Sequence, residues 1–372
     1  MSVAYFLIIL TSTLYFTTSF SFYGFSLYGW VGAFAILIPT LNGFRRKSLL
    51  ILIIPIISIL SFFLAKGHVI DDSIINVKLN AIILLLFGAF YFCAVSNTRN
   101  KINARQMSCI IAIVLCFHII VAILQFILWY VLGIDIDISA YFGGEGHRAI
   151  YYGVYRITGV FDEPAIYSMF IISLCFLRYY LTNNNDWLNY LGVCSVLLSL
   201  SFAGILVSLI YLIISEGARR RLLLSGLFIF SFILQVIALY PKLLDSIAIR
   251  LDSLLSGDDG STNLKHQYLD FWMSESQRIL FGNGLVGFYD GKPKFFESTF
   301  DLTFILTTIT SFGVVFSIPI LFVLYFLLLK ESNRRNKLLI LILSLKITSV
   351  IFPFFWVFSG LIFTYERNKN NS

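Results

Sequence analysis

Apolar runs of about 20 residues, each long enough to cross the hydrocarbon core of a bilayer, follow one another along the whole of this 372-residue chain. The composition agrees with such a repeated pattern. Hydrophobic residues make up 58% of the chain and charged residues only 13%, whereas soluble domains carry about 25% charged residues. The pattern excludes a soluble protein and predicts an all-α polytopic membrane protein.

The positions of the runs predict about 10–12 transmembrane helices in a single integral membrane domain that covers residues 1–372. Two of the runs are expected to contain a break, the first near Ser201 to Gly204 and the second near Pro353. With these breaks, both termini are expected to be cytoplasmic. The candidate spans cover residues 3–20, 25–43, 48–65, 79–96, 107–132, 165–181, 188–215, 222–240, 301–329 and 338–363.

The net charge of +7 is concentrated in short connectors between the runs. Cytoplasmic loops of membrane proteins carry an excess of Lys and Arg, so these connectors orient the chain. The charge therefore does not indicate a nucleic-acid partner. The basic connector residues are Arg45, Arg46, Lys47, Arg99, Lys101, Arg105, Arg219, Arg220, Arg221, Arg334, Arg335, Lys337, Arg367 and Lys369.

On this topology two large loops face outward, at residues 133–164 and 241–300, together with a short loop at 66–78 that contains Lys66, His68, Asp71 and Asp72. Polar residues concentrate in these loops and are scarce in the spans. The sequence therefore predicts that the outer face is the working side of the protein.

The segment from Arg156 to Pro164 ends the first large loop, with Asp162 and Glu163 directly before an apolar run. Ionisable groups at a membrane boundary are costly unless they serve a function. Proline suits the first turn of a helix, which places Glu163 at the N-cap. Glu163 is then either a carboxylate that accepts a proton during catalysis or only the residue that caps the helix.

Arginines and tyrosines near this segment are candidates for binding a phosphate-linked glycan. Guanidinium groups bind phosphate in bidentate fashion, which makes Arg148 and Arg156 candidates, and Tyr155 offers an aromatic face to a sugar ring. The alternative is a belt of side chains at the lipid headgroups. In the second loop, Arg250, Lys265 and His266 are phosphate candidates.

Two further patterns in the loops have simple structural alternatives. Glycines between Leu280 and Gly287 form either an anion-binding nest or a turn. Asp135 and Asp137 form a D-x-D pair that an interfacial turn explains as well as a metal site does.

The five cysteines lie in or beside apolar runs with no metal-ligand spacing. We expect neither a metal nor another cofactor.

The motif R-x-x-G-x-F-x-E-P resembles a signature of the O-antigen polymerase (Wzy-type) and O-antigen ligase-like superfamily. Its matching residues here are Arg156, Gly159, Phe161, Glu163 and Pro164. The second loop is similar to that of the family at Arg250, at Lys265 or His266, at Trp272 and at Phe281 to Gly284, and a later segment is similar from Asp301 to Gly313. The ligase branch usually has Asn or His where this chain has Asp301, which favours the polymerase.

The resemblance implies transfer of a glycan from undecaprenyl pyrophosphate to a sugar hydroxyl of another lipid-linked unit. We hypothesise that Arg156 and Arg250, helped by Lys265 or His266, hold the pyrophosphate, and that Glu163 orients or deprotonates the acceptor hydroxyl. Arg148, Tyr155 and Asp301 are expected to contact substrate. The expected location is the bacterial inner membrane, with the lipid bilayer, a chain-length regulator and a flippase as partners.

Two other functions remain open at this point. An O-antigen ligase would move finished glycan onto a lipid A core. A flippase or transporter would line a central cavity with charges inside its spans and show repeated halves, whereas polarity here lies in the loops.

Overall fold

The computed structural model describes residues 2–14, 21–22, 25–40, 46–64, 73–96, 102–143, 149–151, 154–239, 252, 260–284, 295, 298–299, 302–330, 332–344, 350 and 352–370. The described part is helical apart from two antiparallel pairs of two-residue strands, β1 and β2 (Ser21–Phe22, Phe25–Ser26) and β3 and β4 (Ile150–Tyr151, Val154–Tyr155). The predicted all-α class is confirmed.

Fifteen α-helices are described, numbered here in chain order. A 3₁₀ helix, Arg46–Leu52, precedes the third of them, and a π-helical turn, Tyr325–Leu329, follows the thirteenth. The α-helices are α1 Ser2–Leu14, α2 Leu27–Thr40, α3 Ile53–Leu64, α4 Ser73–Val95, α5 Ala104–Tyr130, α6 Ile138–Tyr141, α7 Pro164–Thr182, α8 Trp187–Leu198, α9 Phe202–Ser215, α10 Ala218–Leu239, α11 Gly260–Met273, α12 Ser276–Phe281, α13 Phe304–Leu324, α14 Arg334–Ser344 and α15 Pro353–Asn370.

Three helical segments among the described residues are long and apolar enough to cross a membrane: Ala104–Tyr130, Pro164–Thr182 and Phe304–Leu329. Shorter apolar helices accompany them, among them Ser2–Leu14, Trp187–Leu198, Phe202–Ser215 and Pro353–Tyr365. The chain therefore contains helices with the length and composition of membrane spans. The count of ten to twelve spans and the outward direction of the two loops stay predictions.

The two expected helix breaks are confirmed. Between α8 and α9, Leu200 has a positive φ of 48°, and the side chain of Ser201 accepts a hydrogen bond from the backbone N–H of Gly204 and so caps α9. Serine is among the preferred N-cap residues, which explains why the new helix begins here. At the second break, the described residues 350 and 352 are not helical, and α15 begins at Pro353.

The structure also differs from the predicted spans and loops at several places. Helix α4 begins at Ser73, inside the predicted loop 66–78, whose charged residues Lys66, His68, Asp71 and Asp72 lie outside the described residues. Helix α10 begins at Ala218 and therefore takes in the three arginines predicted to form a connector, because arginine is a good helix former. The large predicted loops contain α6, the β3–β4 hairpin, α11 and α12.

The chain divides into two compact units. The first unit contains Met1–Ala35, Lys101–Ile249 and Asn333–Leu343, and in it α7 packs against α5, α8 and α9. The second contains Ile36–Asn100, Arg250–Ser332 and Ser344–Ser372, and in it α4 packs against α15, and α13 packs against α3 and α12. The α4–α15 contact is close, because a Cβ at Gly88 would lie 2.1 Å from the indole nitrogen of Trp356.

A buried polar network in the first unit joins the C-terminal end of α7 to α8 and α9. Arg178 Nη1 donates to Asp186 Oδ1 at 2.8 Å and to Asn189 Oδ1 at 2.7 Å. Glu216 Oε1 accepts from Asn185 Nδ2 at 2.6 Å and from the hydroxyl of Tyr190 at 2.7 Å. An α-helix advances about 1.5 Å along its axis per residue. The network at the C-terminal end of α7 is therefore separated by the full length of this helix from the segment that precedes it.

Candidate functional site

Residues 156–163, here called the motif segment, run between α5 and α7 inside the first unit. The backbone N–H of Arg156 donates to the carbonyl of Ala149 at 2.8 Å, and that of Ile157 donates to the carbonyl of Leu198 at 3.2 Å. From Ile157 to Phe161 every side chain is buried. The segment is therefore part of the packed interior, although the sequence placed it at the end of a loop.

One glutamine of α5 holds the middle of the motif segment. Gln125 Oε1 accepts hydrogen bonds from the backbone N–H groups of Thr158 at 2.9 Å and Gly159 at 2.8 Å. Gln125 Nε2 donates to Thr158 Oγ1 at 3.2 Å. A buried polar group must be paired to be tolerated, and here the glutamine and the segment pair with each other.

Aromatic stacking holds the next part of the segment. The ring of Phe161 stacks on His118 of α5, with centroids 5.3 Å apart, and on Phe170 of α7, with centroids 4.9 Å apart. His118 is itself buried and lies 3.0 Å from the Thr13 hydroxyl through Nε2. Phe161 thereby bridges the two long helices on either side of the segment.

The glycine of the motif is required by the backbone. Gly159 has a φ of +64°, and a Cβ there would lie 3.1 Å from the ring of Tyr167. Residues with a side chain rarely adopt that φ, whereas glycine does so readily. The glycine of the motif therefore lets the chain turn beneath Tyr167 before it reaches Asp162.

The charged residues lie at the two ends of the segment. Arg156, Asp162 and Glu163 are half-buried, whereas the residues between them are buried. Glu163 is the N-cap of α7 and Pro164 follows at the first helical position, as predicted, but the Glu163 side chain makes no capping hydrogen bond. The N-cap position of Glu163 is therefore confirmed, and a catalytic role for its carboxylate stays a prediction.

Tyr155 packs at the start of the segment. It is 2% exposed, and its ring stacks on Trp129 with centroids 4.2 Å apart. Burial raises the pKa of the Tyr155 hydroxyl to about 12, a hydrogen bond with Gln125 opposes the shift, and the nearby carboxylate of Asp135 adds to it. The side chain anchors the segment, and its contact with substrate stays a prediction.

Asp135 and Asp137 have the structural setting of a turn. Asp137 is the N-cap of α6, where its Oδ1 accepts from the backbone N–H of Ala140 at 3.2 Å and from the Ser139 hydroxyl at 2.6 Å. Within the described ranges, no group of three or more His, Cys, Asp or Glu side chains is placed to hold a metal ion.

The candidates of the second large loop belong to the second unit. Lys265 is half-buried and His266 is exposed, both on α11. The guanidinium of Arg278 on α12 forms hydrogen bonds with nearby residues: it donates to Glu275 Oε1 at 3.0 Å and to the carbonyl of Phe271 at 2.7 Å. Arg148, Arg250 and Asp301 lie outside the described residues.

The Gly-rich stretch after α12 is a turn that fits into a break in α13. Gly313 interrupts α13 with φ 68° and ψ 170°. The backbone N–H groups of Asn283 and Gly284 donate at 2.9 Å to the carbonyls of Thr310 and Ser311. Because these two N–H groups are already used, the turn is favoured over the anion-binding nest.

Comparison of the chain with models of known protein families gives no match, and comparison with curated protein sequences gives no significant match. The motif segment itself is therefore the basis for assigning a function. Sequence reasoning identified its charged residues and missed Gln125 and His118, which hold it. The available signal was a polar side chain within an apolar run, which is costly in a membrane helix.

Proposed function

We propose that the protein is a polysaccharide repeat-unit polymerase, which transfers a glycan from undecaprenyl pyrophosphate to a sugar hydroxyl of another lipid-linked unit. The product would be an O-antigen, a capsule or a related polymer. The observation that carries the proposal is the motif segment: an arginine and a glutamate stand at the two ends of a buried turn between two helices long enough to span a membrane.

The chemistry assigned to these side chains is a single displacement at the anomeric carbon of the donor. The acceptor hydroxyl oxygen forms the new glycosidic bond while the bond from the anomeric carbon to the pyrophosphate oxygen breaks. The leaving pyrophosphate takes the bonding electron pair, and Arg156 neutralises the developing charge as a preorganised donor. Glu163 accepts the proton of the acceptor hydroxyl, a role that suits a carboxylate not used to cap its own helix.

The resemblance adds Arg250, with Lys265 or His266, as further cations for the pyrophosphate, and Arg148, Tyr155 and Asp301 as substrate contacts. Guanidinium groups carry a permanent charge, so the proposal needs no divalent cation, and elongation should persist in the presence of EDTA. These assignments are independent of one another, and single alanine substitutions test each of them.

The proposed setting is the bacterial inner membrane, crossed by 10–12 helices with both termini in the cytoplasm. The basic connectors support this orientation through the positive-inside rule. The loops 133–164 and 241–300 would then face the side on which lipid-linked units are joined. A flippase would supply the units, and a chain-length regulator would limit the product.

The experiment that tests the function is gel analysis of surface polysaccharide and of carrier-linked glycan in a deletion strain, with and without the gene restored. Loss of a polymerase leaves single repeat units at the outer face, and the restored gene should return the ladder of longer chains. Long chains that remain on the carrier would instead identify a ligase. Absence of any unit at the outer face would identify a flippase.

A further inference from the structure

Gln125 is a buried side chain that forms hydrogen bonds with the backbone of the motif segment. It is 1% exposed, and it lies 33 positions before Thr158 in the chain. Its Oε1 accepts hydrogen bonds from two consecutive backbone N–H groups at 2.8 and 2.9 Å, and its Nε2 donates a hydrogen bond to the Thr158 hydroxyl at 3.2 Å. Two successive peptide groups that share one acceptor are fixed in orientation.

We infer that Gln125 is a positioning residue, whose carboxamide sets the path of the backbone between Arg156 and Glu163. For its effect on glycan transfer the inference rests on the proposed function. Its effect on the backbone can be measured without that function.

The contacts of α5 support this assignment. His118 lies seven residues before Gln125, two helical turns away on the same face, and it stacks on Phe161 of the same segment. Gln125 contacts the part of the segment that contains Gly159, whose φ of +64° is one that residues with a side chain rarely adopt. One face of α5 thus holds the segment at two points, close to both charged ends.

Two substitutions separate the hydrogen bonds from the volume of the side chain. Gln125→Met keeps the length and shape but removes the acceptor and the donor. Gln125→Glu can keep the three contacts with Thr158 and Gly159, because a protonated carboxyl has one acceptor oxygen and one O–H donor, and a carboxylate can accept from the Thr158 hydroxyl instead. Gln106→Met is the matched control, since Gln106 forms the capping box with Asn103 at the other end of α5.

The test combines hydrogen exchange of the motif segment in nanodiscs with turnover in proteoliposomes that contain the lipid-linked repeat unit from the deletion strain. We expect Gln125→Met to expose the amides of Thr158 and Gly159 to exchange and to lower kcat by roughly 100-fold, since small misplacements of reacting groups have effects of that size. The unpaired N–H groups also lower the melting temperature of this variant, so kcat is measured well below it. Gln125→Glu should restore both, and Gln106→Met should change neither.

The outcomes distinguish this inference from the proposed function. Amides that stay protected in Gln125→Met would overturn the inference, as would a kcat within about twofold of the wild-type value. A kcat loss that follows the melting temperature and is not rescued by Gln125→Glu would assign Gln125 a purely structural role. If the wild-type protein fails to elongate glycan, the polymerase proposal fails, and the exchange comparison alone then decides whether Gln125 holds the segment.

Discussion

At the scale of single residues, the central assignment is that Arg156, the described cation at the start of the motif segment, stabilises the charge on the leaving pyrophosphate. Arg156→Ala should lower elongation by about 100- to 1,000-fold, the effect of removing one donor to a developing negative charge. Arg156→Lys should retain part of the activity, since lysine keeps the charge but not the bidentate fork. The control is Arg105→Ala, an exposed arginine on α5, which should elongate at the wild-type rate.

Asp186 gives a residue-scale prediction about stability and pH. Burial alone would raise its pKa, but the hydrogen bonds from Arg178 and from the backbone of Asn189 outweigh burial, and the net pKa lies below 3.8. A carboxyl group with a lowered folded-state pKa adds stability above its unfolded-state pKa, and this stability is lost as the pH falls through the folded value.

Asp186→Asn should therefore lower the melting temperature of the solubilised protein by a few degrees at about pH 7, and the difference from wild type should shrink towards about pH 3. Asparagine also suits the N-cap position, so the change removes mainly the charge. An equal difference at both pH values would show that the Arg178–Asp186 pair adds no charge-dependent stability.

The sequence was sufficient to predict the N-cap position of Glu163, since it follows from the preference of proline for helix starts. The roles of the charged residues, which were chosen because charge is costly at a membrane boundary, stay predictions. The sequence was not sufficient to predict the role of Gln125. That role depends on contacts between residues 33 positions apart, and no local pattern encodes such a contact.

At the scale of secondary structure elements, Gly282 and Gly313 form a tightly constrained contact in the second unit. A Cβ at Gly282 would lie 2.2 Å from the carbonyl oxygen of Ser311, and a Cβ at Gly313 would lie 2.3 Å from that of Leu280. Both glycines also have positive φ. The polypeptide backbones therefore touch where α13 is interrupted.

Gly282→Ala and Gly313→Ala should each lower the free energy of unfolding by about 3 kcal/mol or more, through overpacking and through left-handed backbone strain. Denaturation in detergent would measure the loss. The matched control is Gly226→Ala in α10, where a Cβ would meet nothing within 4 Å. Wild-type stability of Gly313→Ala would contradict the described contact.

Helix breaks were predictable where charge or proline required them, as at Ser201 and Pro353. The interruption at Gly313 was not, because the run from Phe304 to Leu324 reads as one continuous apolar helix. Its break is stabilised by hydrogen bonds from a turn about 30 residues earlier. The sequence pointed to both glycine positions separately and did not indicate that they meet.

At the scale of the whole molecule, the proposed orientation places the two ends of α7 on opposite sides of the membrane. A single cysteine at Ile134, in the predicted outer loop, should react with an impermeant maleimide in spheroplasts. A single cysteine at Asn184, between α7 and α8, should react only after permeabilisation. Both positions are exposed, and the five native cysteines would first be replaced. Labelling of both positions in intact spheroplasts would refute the orientation.

The composition was sufficient to predict the helical class, since lipid requires backbone groups to be paired within each span. The number of spans is harder to derive, because several described apolar helices are only 12–14 residues long, shorter than the roughly 20 residues of a full crossing. Length alone therefore does not separate a tilted span from a helix that enters the membrane only part of the way.

The most direct test of polymerisation through the motif segment is reconstitution. Purified protein in proteoliposomes would receive the single lipid-linked repeat unit that accumulates in the deletion strain, and mass spectrometry would follow the products. We expect glycans of two or more units together with released undecaprenyl pyrophosphate for the wild type, and less than about one hundredth of that yield for Arg156→Ala and Glu163→Gln. Elongation at the wild-type rate by both variants, or none by the wild type, would contradict this expectation.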